Sequence, residues 1–516
     1  MQKAKVGILE LIASTAALHS RLSPSFWIEL AIKQQFYSVM PQAVSVWSRM
    51  RGHETHYATF YGLGRPEDLL PQDLDLVFLA TPTQHSMLAY ALAAIFRNRG
   101  ARVVLAGPHA RAYPADCARH ADIVVTDCDR LLVEDIIAGR VDSGSIVRST
   151  RALSDLPLVE EREAEIRTAA FVSGRPWHTT TISLLSSLGC PYSCDFCSEW
   201  QTPYRAFDTE RMTRELDVIA RRYPGALIGL HDPNFGIRFD QTMAAFEARG
   251  GLSRNPFVME SSLSLLNPAR LERLRAAGCL MVAPGIESFA GYAPKSRTAS
   301  AVGEAKYAAV SARVREIEAA IPTVQANLIL GVDDDAGDEP FVLARRFIAD
   351  HPKVWTNVNI PIPFGQTPFA ERVQREGRLV SALPFAFYTA PYLAMRPLHY
   401  GFEEYLDRLT GVYAELCAWP LLGRRLALLK SGLARGVVIA RTAALRVEFA
   451  ELKAFRIALR EQSDMRRFYA GQSRTLPDFL AKRMRGRLGD YADVLSREAQ
   501  RQWAPAETAT ADAAAA

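Results

Sequence analysis

The stretch Ser187-Leu-Gly-Cys190-Pro-Tyr-Ser-Cys194-Asp-Phe-Cys197-Ser-Glu-Trp200 decides how the rest of the chain is read. Three of the seven cysteines lie in it, separated by three and then two residues, with Phe196 just before the third. Thiolates in so short a run suit an iron–sulfur cluster, whose irons take cysteine sulfur. Three ligands on a four-iron cluster leave one iron open to a small molecule. Zinc is the other metal reading, but zinc sites ask for a fourth Cys or His and tend to come in pairs. A non-enzymatic iron–sulfur or zinc protein, or a set of thiols that only pack, completes the alternatives.

Cys117, Cys128, Cys279 and Cys417 lack such spacing and read as packing residues. An odd cysteine count with three in one cluster fits a reducing compartment, so a cytoplasmic protein is expected. With 516 residues, 49% hydrophobic and 23% charged, the chain has room for two or three soluble domains. Glu10 breaks the first apolar run and no small-residue cleavage pattern follows, which argues against a signal peptide. The longest uncharged run, Leu76 to Phe96, contains Pro82, Gln84 and His85, so no transmembrane segment is expected. The net charge of +5 is matched by the region from Gly401 onward, with 19 Lys+Arg against 14 Asp+Glu. Scattered as it is, that excess reads as a solvated face and not as a nucleic-acid surface.

Residues 1–140 alternate apolar strands with helical stretches, the rhythm of a doubly wound parallel α/β sheet. Strands are expected at Val6 to Ala13, Thr55 to Tyr61, Leu76 to Ala80, Val103 to Ala106 and Ile123 to Thr126. No G-x-G-x-x-G follows the first, so a dinucleotide site is not supported. Residues 141–177 read as a linker, with Ser143-Gly-Ser145 and the Leu156-Pro157 pair. From 178 to 370 six further strand–helix units follow, with strands at Thr181 to Ser186, Leu227 to Leu230, Phe257 to Ser261, Leu280 to Ala283, Thr323 to Leu330 and Val354 to Ile360. Residues 371–504 are helical and basic, and 505–516 read as a disordered tail. The arginine-rich stretches Leu421 to Lys430 and Val437 to Leu459 suit helices that cap a barrel, or helices that lie on a membrane.

The cysteine stretch resembles the signature of the radical S-adenosylmethionine (SAM) superfamily. The resemblance implies a partial (β/α)6 barrel whose first loop carries a [4Fe–4S] cluster on Cys190, Cys194 and Cys197, with SAM on the open iron. It implies reductive cleavage of SAM to a 5′-deoxyadenosyl radical that takes hydrogen from an unactivated carbon, and an electron donor such as flavodoxin or ferredoxin. In such barrels reactive groups gather at the carboxyl ends of the strands. Phe196 sits in the signature itself. His231-Asp232-Pro-Asn-Phe235 follows the second strand, suited to acid/base work or to holding a turn. Glu260-Ser-Ser262 follows the third, offering a carboxylate and hydroxyls. Gly285-Ile-Glu287-Ser288 follows the fourth and looks like the family's ribose-contacting motif. Leu328-Ile-Leu330-Gly follows the fifth, where backbone would flank adenine. Asp333-Asp-Asp335 beyond it reads as a solvated acidic loop.

The first domain is similar to the cobalamin-binding (Rossmann-like) domain of many radical SAM enzymes, through Ala106-Gly107-Pro-His109-Ala-Arg111 and Asp127-Cys-Asp129. It departs from the family loops at Ala106, Arg111 and Asp127 to Asp129. Ligands of open sheets bind outside the carboxyl strand ends. That edge carries Thr81, Thr83 and Ser86 together with Gly107 and His109, and Gly107 is expected to make room for a corrin. The resemblance then implies cobalamin-dependent methylation of a small-molecule or lipid-like substrate. A radical cyclase, rearrangement or oxidative enzyme without methyl transfer is the rival.

Overall fold

The computed structural model describes residues 3–15, 37–151, 153–171, 174–176, 180–248, 255–290 and 301–495. Two six-stranded parallel sheets organise it. The first contains β1 (Lys5–Leu11), β2 (Glu54–Phe60), β3 (Leu76–Ala80), β4 (Arg102–Ala106), β5 (Ile123–Asp127) and β6 (Ser145–Arg148), in the order β2-β1-β3-β4-β5-β6. β1 is buried along all but its first residue, as a strand covered by helices on both faces must be. The order reverses between β1 and β3, which opens a crevice at their carboxyl ends. There Ser14 Oγ lies 2.9 Å from His85 Nδ1.

β6 falls in the stretch read as linker, as does a helix at Glu163–Ala170. Four residues of alternating exposure beside Ser-Gly-Ser give an edge strand too short to show in sequence. The linker is also more than a tether. Arg162 is fully buried and donates to Gln42 Oε1 (2.7 Å) and to the carbonyl of Ser183 (3.2 Å). Tyr37 Oη donates to the Thr181 carbonyl at 2.7 Å, so the two sheets are stitched at the first strand of the second.

That second sheet contains β7 (Thr181–Leu184), β10 (Leu227–Leu230), β11 (Phe257–Ser262), β12 (Cys279–Glu287), β13 (Thr323–Ile329) and β14 (Trp355–Asn359), paired in sequential order. A small antiparallel pair, β8 (Ser187–Leu188) and β9 (Arg205–Ala206), brackets the cysteine loop. Helices cover the outer face. Thr209–Arg222, capped by Asp208 on the Arg211 amide, buries Met212, Leu216, Val218 and Ile219. The open parallel sheet with its sequential order is the partial barrel expected from the sequence. β11 and β12 run longer than expected, so Ser262 and Gly285 to Glu287 are their last residues and not the loops beyond.

Helices Pro368–Arg375, Phe402–Leu416, Trp419–Leu428, Gly432–Glu461 and Asp478–Leu488 form the carboxyl-terminal region. One continuous apolar core joins all parts, with Leu105, Ile182 and Leu409 among its members. Among the described residues no helix is long and apolar enough to cross a membrane. The tail at 505–516 and His178, where the barrel was expected to begin, lie outside the described residues.

Candidate active site

The cysteine loop leaves β8 at Gly189, whose φ is +65°. A β-carbon there would lie 2.3 Å from the Pro203 carbonyl oxygen, so only glycine lets the outgoing and returning chains cross. Cys190 and Cys194 are buried, Cys197 is half-buried, and no cysteine of the chain is in a disulfide. Among the described residues no three His, Cys, Asp or Glu converge on a single ion. In a four-iron cluster each thiolate binds its own iron, so convergence on one point is not what it asks. Three thiols outside any disulfide, on one loop, form the donor set such a cluster takes. The other cysteines contrast with them: burial pushes Cys117 and Cys128 up to about 12 and raises Cys279 and Cys417. They remain protonated, inert packing groups.

The loop is clamped from three sides. Asp232, fully inside the protein, accepts from the Ser186 amide (3.0 Å), Ser186 Oγ (2.7 Å) and Ser187 Oγ (2.5 Å). Its carboxylate is spent fixing the chain that enters the cysteine loop, so of its two sequence readings the turn-holding one prevails. Arg372, on helix Pro368–Arg375, pairs with Asp195 (2.9 Å) and Asp333 (3.1 Å). The Phe369 amide also donates to the Asp195 carbonyl at 3.1 Å. Phe196 packs against a small cluster of Phe369, Val373 and Met395, so its ring ties the loop to this helix. On the third side Arg111, from the loop after β4, reaches Glu199 Oε1 (3.4 Å) and the Thr202 hydroxyl.

Across the sheet the expected positions separate into two groups. Ser262 and Asn234 bond each other reciprocally (2.7 and 2.8 Å), and both are buried. Leu330 is fully buried; its amide donates to Asn359 and its carbonyl accepts from Tyr405 Oη at 2.6 Å. Its backbone amide and carbonyl are therefore both bonded within the fold. Glu260 and His231, by contrast, are exposed on the inner face. His231 Nε2 lies 3.2 Å from Ser183 Oγ. Although part of the residue is open to the inner face, the protein packed around the ring, and then Arg162, lower it to about 4, so it is neutral at neutral pH.

Glu287 ends β12 with φ +66°, a rare conformation for a residue with a side chain. Its carboxylate folds back over Gly285: a β-carbon on Gly285 would stand 2.6 Å from Glu287 Oε1. Behind it Ser288 Oγ donates to Asp335, which also accepts from the Gly331 amide at 2.7 Å. Asp335 has no exposed surface, and burial raises it to about 6. Asp335 is thus not solvated as expected, while Asp334 beside it is exposed. Lys306 completes the group. It is fully buried, donates to the Ala290 carbonyl at 3.0 Å, and is lowered by burial to about 8 against the pull of Glu287 and Asp335.

Lys306 was missed in the sequence, where it stands as one charge in a helical stretch. A row of amides was missed too. Gln325 and Asn327 on β13 and Asn357 and Asn359 on β14 are half-buried, while Val324, Ala326, Leu328 and Val358 between them are buried under the helices. Gln325 Nε2 donates to Asn327 Oδ1 at 3.1 Å. The strict alternation in Thr-Val-Gln-Ala-Asn-Leu-Ile was the signal that could have found them.

At the first sheet the expected ligand edge is largely enclosed. Thr81, Thr83, Ser86 and His109 are all buried. His109 Nε2 lies 2.6 Å from Tyr90 Oη, whose hydroxyl also donates to Asp116, and its ring meets the edge of Phe385 at 5.0 Å. Gly107 has φ +90°, and a β-carbon on it would press on the Thr81 amide at 3.0 Å. The positive φ and the packing between two loops therefore favour this glycine on their own account, in addition to the corrin clearance expected from the sequence. At this edge the polar atoms Ser86 Oγ and His109 Nδ1 are buried without a hydrogen-bond partner among the described residues. Buried orphans of this kind at a ligand edge suit a bound molecule that supplies the missing bonds.

Residues 184–339, from the end of β7 to the start of the helix Glu339–Asp350, match the model of the radical SAM superfamily. The chain is an enzyme with a radical SAM domain. Two curated relatives come from Chlorobaculum tepidum. Bacteriochlorophyllide d C-8(2)-methyltransferase is 25% identical over 67% of this chain and 78% of its own. Bacteriochlorophyllide d C-12(1)-methyltransferase is 22% identical over 70% and 79%. Among solved structures, the radical SAM methyltransferase TsrM from Kitasatospora setae, with cobalamin and a [4Fe–4S] cluster bound, superposes with a TM-score of 0.55 at 13% identity, over 81% of this chain and 89% of its own. The cobalamin-dependent SAM radical enzyme OxsB, with aqua-cobalamin bound, gives 0.58 at 11% identity, over 99% and 81%. At these identities the likeness establishes a common architecture: parallel sheet, partial barrel and helical end.

Proposed function

We propose that this radical SAM enzyme is a cobalamin-dependent C-methyltransferase. Cys190, Cys194 and Cys197 hold its [4Fe–4S] cluster, Glu260, Glu287 and the amide row orient SAM and substrate, and the loops after β3 and β4 hold the corrin. The observation that carries the reading is the meeting of the two ligand edges. The loop after β4 touches the cysteine loop through Arg111, and Tyr113 Oη donates to the Pro363 carbonyl beyond β14 at 3.1 Å. A group held at one carboxyl edge therefore faces a group held at the other. Both curated relatives are methyltransferases, and both structural neighbours hold cobalamin, which supports the same reading.

When bound, those groups supply one-electron cleavage of SAM and a transferable methyl group; position, exclusion of water and charge come from the chain. Glu287, held by its strained backbone and flanked by Lys306, offers a carboxylate to the ribose hydroxyls. Ser288 and Asp335 fix the turn from which it projects. His231, neutral near pH 7, can accept or donate a hydrogen bond without adding charge beside a radical. Gln325, Asn327, Asn357 and Asn359 present donors and acceptors to the polar edge of a substrate. Ser86 Oγ and His109 Nδ1 can meet polar groups of the corrin. The electron donor is a small redox protein of the flavodoxin or ferredoxin kind, in a reducing cytoplasm, which suits seven cysteines outside any disulfide.

Anaerobic reconstitution with iron, sulfide and hydroxocobalamin, followed by gel filtration, tests the assignment. The protein should emerge with cluster and corrin absorption together. Turnover should yield S-adenosylhomocysteine beside 5′-deoxyadenosine and methionine. Tetrapyrroles, the substrates in the relatives' names, are the first class to assay. Protein that emerges without corrin overturns the cobalamin half of the proposal; protein without cluster overturns the whole.

A further inference from the structure

Between Glu415 and Glu448 the sequence carries six bases, Arg424, Arg425, Lys430, Arg435, Arg441 and Arg446, and no acid. The stretch folds as helix Trp419–Leu428, a turn, and the first half of helix Gly432–Glu461. Two of the bases fasten this hairpin to the barrel. Arg425 is buried and donates to the Pro352 carbonyl at 3.1 Å, and Arg441 lies over Trp355 at 4.5 Å. Both contacts are at the amino-terminal end of β14, so the hairpin sits at the base of the barrel, away from the edge that carries the cysteine loop.

The hairpin carries an unusual share of exposed apolar side chains. Trp419 is 70% exposed, Val447 63%, Ile439 51%, Leu428 46% and Val437 42%. Single exposed apolar residues are ordinary, but five on one hairpin among bases and without an acid are not. Arg446 stacks on Trp419 with its guanidinium 3.7 Å from the ring centroid, which holds the indole outward. Arg424 and Lys430 are exposed.

Beside the hairpin opens a cleft of about 600 Å³, walled by Arg315, Lys353 and Arg424 and by Leu428 of the apolar set. Its two carboxylates are already engaged: Glu318 lies 2.9 Å from His351 Nδ1, and Asp350 accepts from Tyr307 Oη. Arg315, Lys353 and Arg424 have no ion-pair partner among the described residues. Three cations without an ion-pair partner, outnumbering the two engaged carboxylates of a cleft with an apolar rim, match a phosphate group that carries acyl chains.

We propose that this surface docks the enzyme on an anionic phospholipid bilayer. Trp419, Leu428 and Val447 enter the interface, and Arg315, Lys353 and Arg424 receive lipid phosphate. Bases on one side and Trp and Leu on the other are what interfacial helices use, and anionic lipid attracts each base near it. The docked face is the base of the barrel, so the bilayer does not cover the mouth and docking leaves SAM cleavage as it is.

Flotation of the full-length, cluster-loaded enzyme with vesicles tests this. Vesicles of equal parts phosphatidylglycerol and phosphatidylcholine should retain at least about tenfold more protein than phosphatidylcholine alone, and about 0.5 M salt should erase most of the difference. Arg424→Glu with Lys430→Glu should abolish the preference, and Trp419→Ser with Val447→Ser should release the protein from both vesicles. All four positions lie at the barrel base, so melting temperature and SAM cleavage should match the parent enzyme. Equal retention on the two vesicles, or a charge-reversed variant that binds like the parent, overturns the proposal. Absence of vesicle binding together with concentration-dependent self-association would also overturn it, making the hairpin a contact between copies of this chain.

Discussion

Gly285→Ala tests the placement of Glu287 with a single methyl group. The backbone at Gly285 does not need glycine's freedom, since its φ is not positive. The added carbon would meet only the Glu287 side chain, at 2.6 Å from Oε1 and 3.4 Å from Cδ. The carboxylate must therefore swing away until it reaches an ordinary contact of 3.4 Å or more. A flexible side chain does so at little cost to folding, so melting temperature and iron content should stay at the parent values. A hydrogen bond from a ribose hydroxyl to this carboxylate would be lost. Hydrogen bonds to charged groups contribute about 1.5–3 kcal/mol, which at 1.36 kcal/mol per decade is about 10- to 150-fold in SAM affinity. Equilibrium binding of SAM to the cluster-loaded enzyme with its cluster kept oxidised, under anaerobic conditions, measures it. Glu287→Gln should weaken SAM by a similar factor while leaving Gly285 untouched. Unchanged affinity in Gly285→Ala, with fold and iron retained, would refute the ribose contact and transfer it to Glu260.

Three further outcomes are expected. Replacing Cys190, Cys194 and Cys197 together with Ala should remove brown colour and SAM cleavage at once; a triple variant with close to four irons per chain would refute the ligand set. Arg372→Met should cost only about 1 kcal/mol of stability, because the guanidinium is partly solvated, yet should speed iron loss to a chelator by loosening Asp195 beside Cys194. Equal rates of iron release would show that the clamp is dispensable. Asp335 is raised from its ordinary 3.8 to about 6 by burial. It binds its proton more tightly folded than unfolded, so its contribution is full below about pH 4 and is lost as pH rises through 6, a fall of about 3 kcal/mol. In Asp335→Asn that fall should vanish from denaturant titrations between pH 4 and 7; an unaltered slope would assign it to another group.

Strand periodicity and one cysteine spacing made both sheets and the cysteine loop legible in the sequence. What stayed hidden depends on contacts between residues far apart in the chain. Asp335 reads as solvated among consecutive acids, because nothing local says that Ser288 and the Gly331 amide will close over it. Lys306 is one charge on a helix until burial beside Glu287 distinguishes it. Gly107 was marked as special on sound grounds, but nothing local says that the Thr81 backbone also presses on it. β6 was lost because four residues at a sheet edge carry too little pattern. The amides of β13 were in plain alternation, and reading that strand only for its carboxyl end passed over them.

The clamps on the cysteine loop bear on how the metal centre is made. Arg111 lies 88 residues before its partner Glu199, and Arg372 lies 177 residues after Asp195. Contacts of such span form late, because chain closure over that distance must precede them. During synthesis the thiols emerge well before the helix that will hold their loop. Iron and sulfide are therefore best received by a chain whose two ends have already come together. Scaffold proteins that deliver the cluster would meet a nearly finished enzyme, and a fragment ending before Pro368 should be a poor acceptor even though it holds all three thiols.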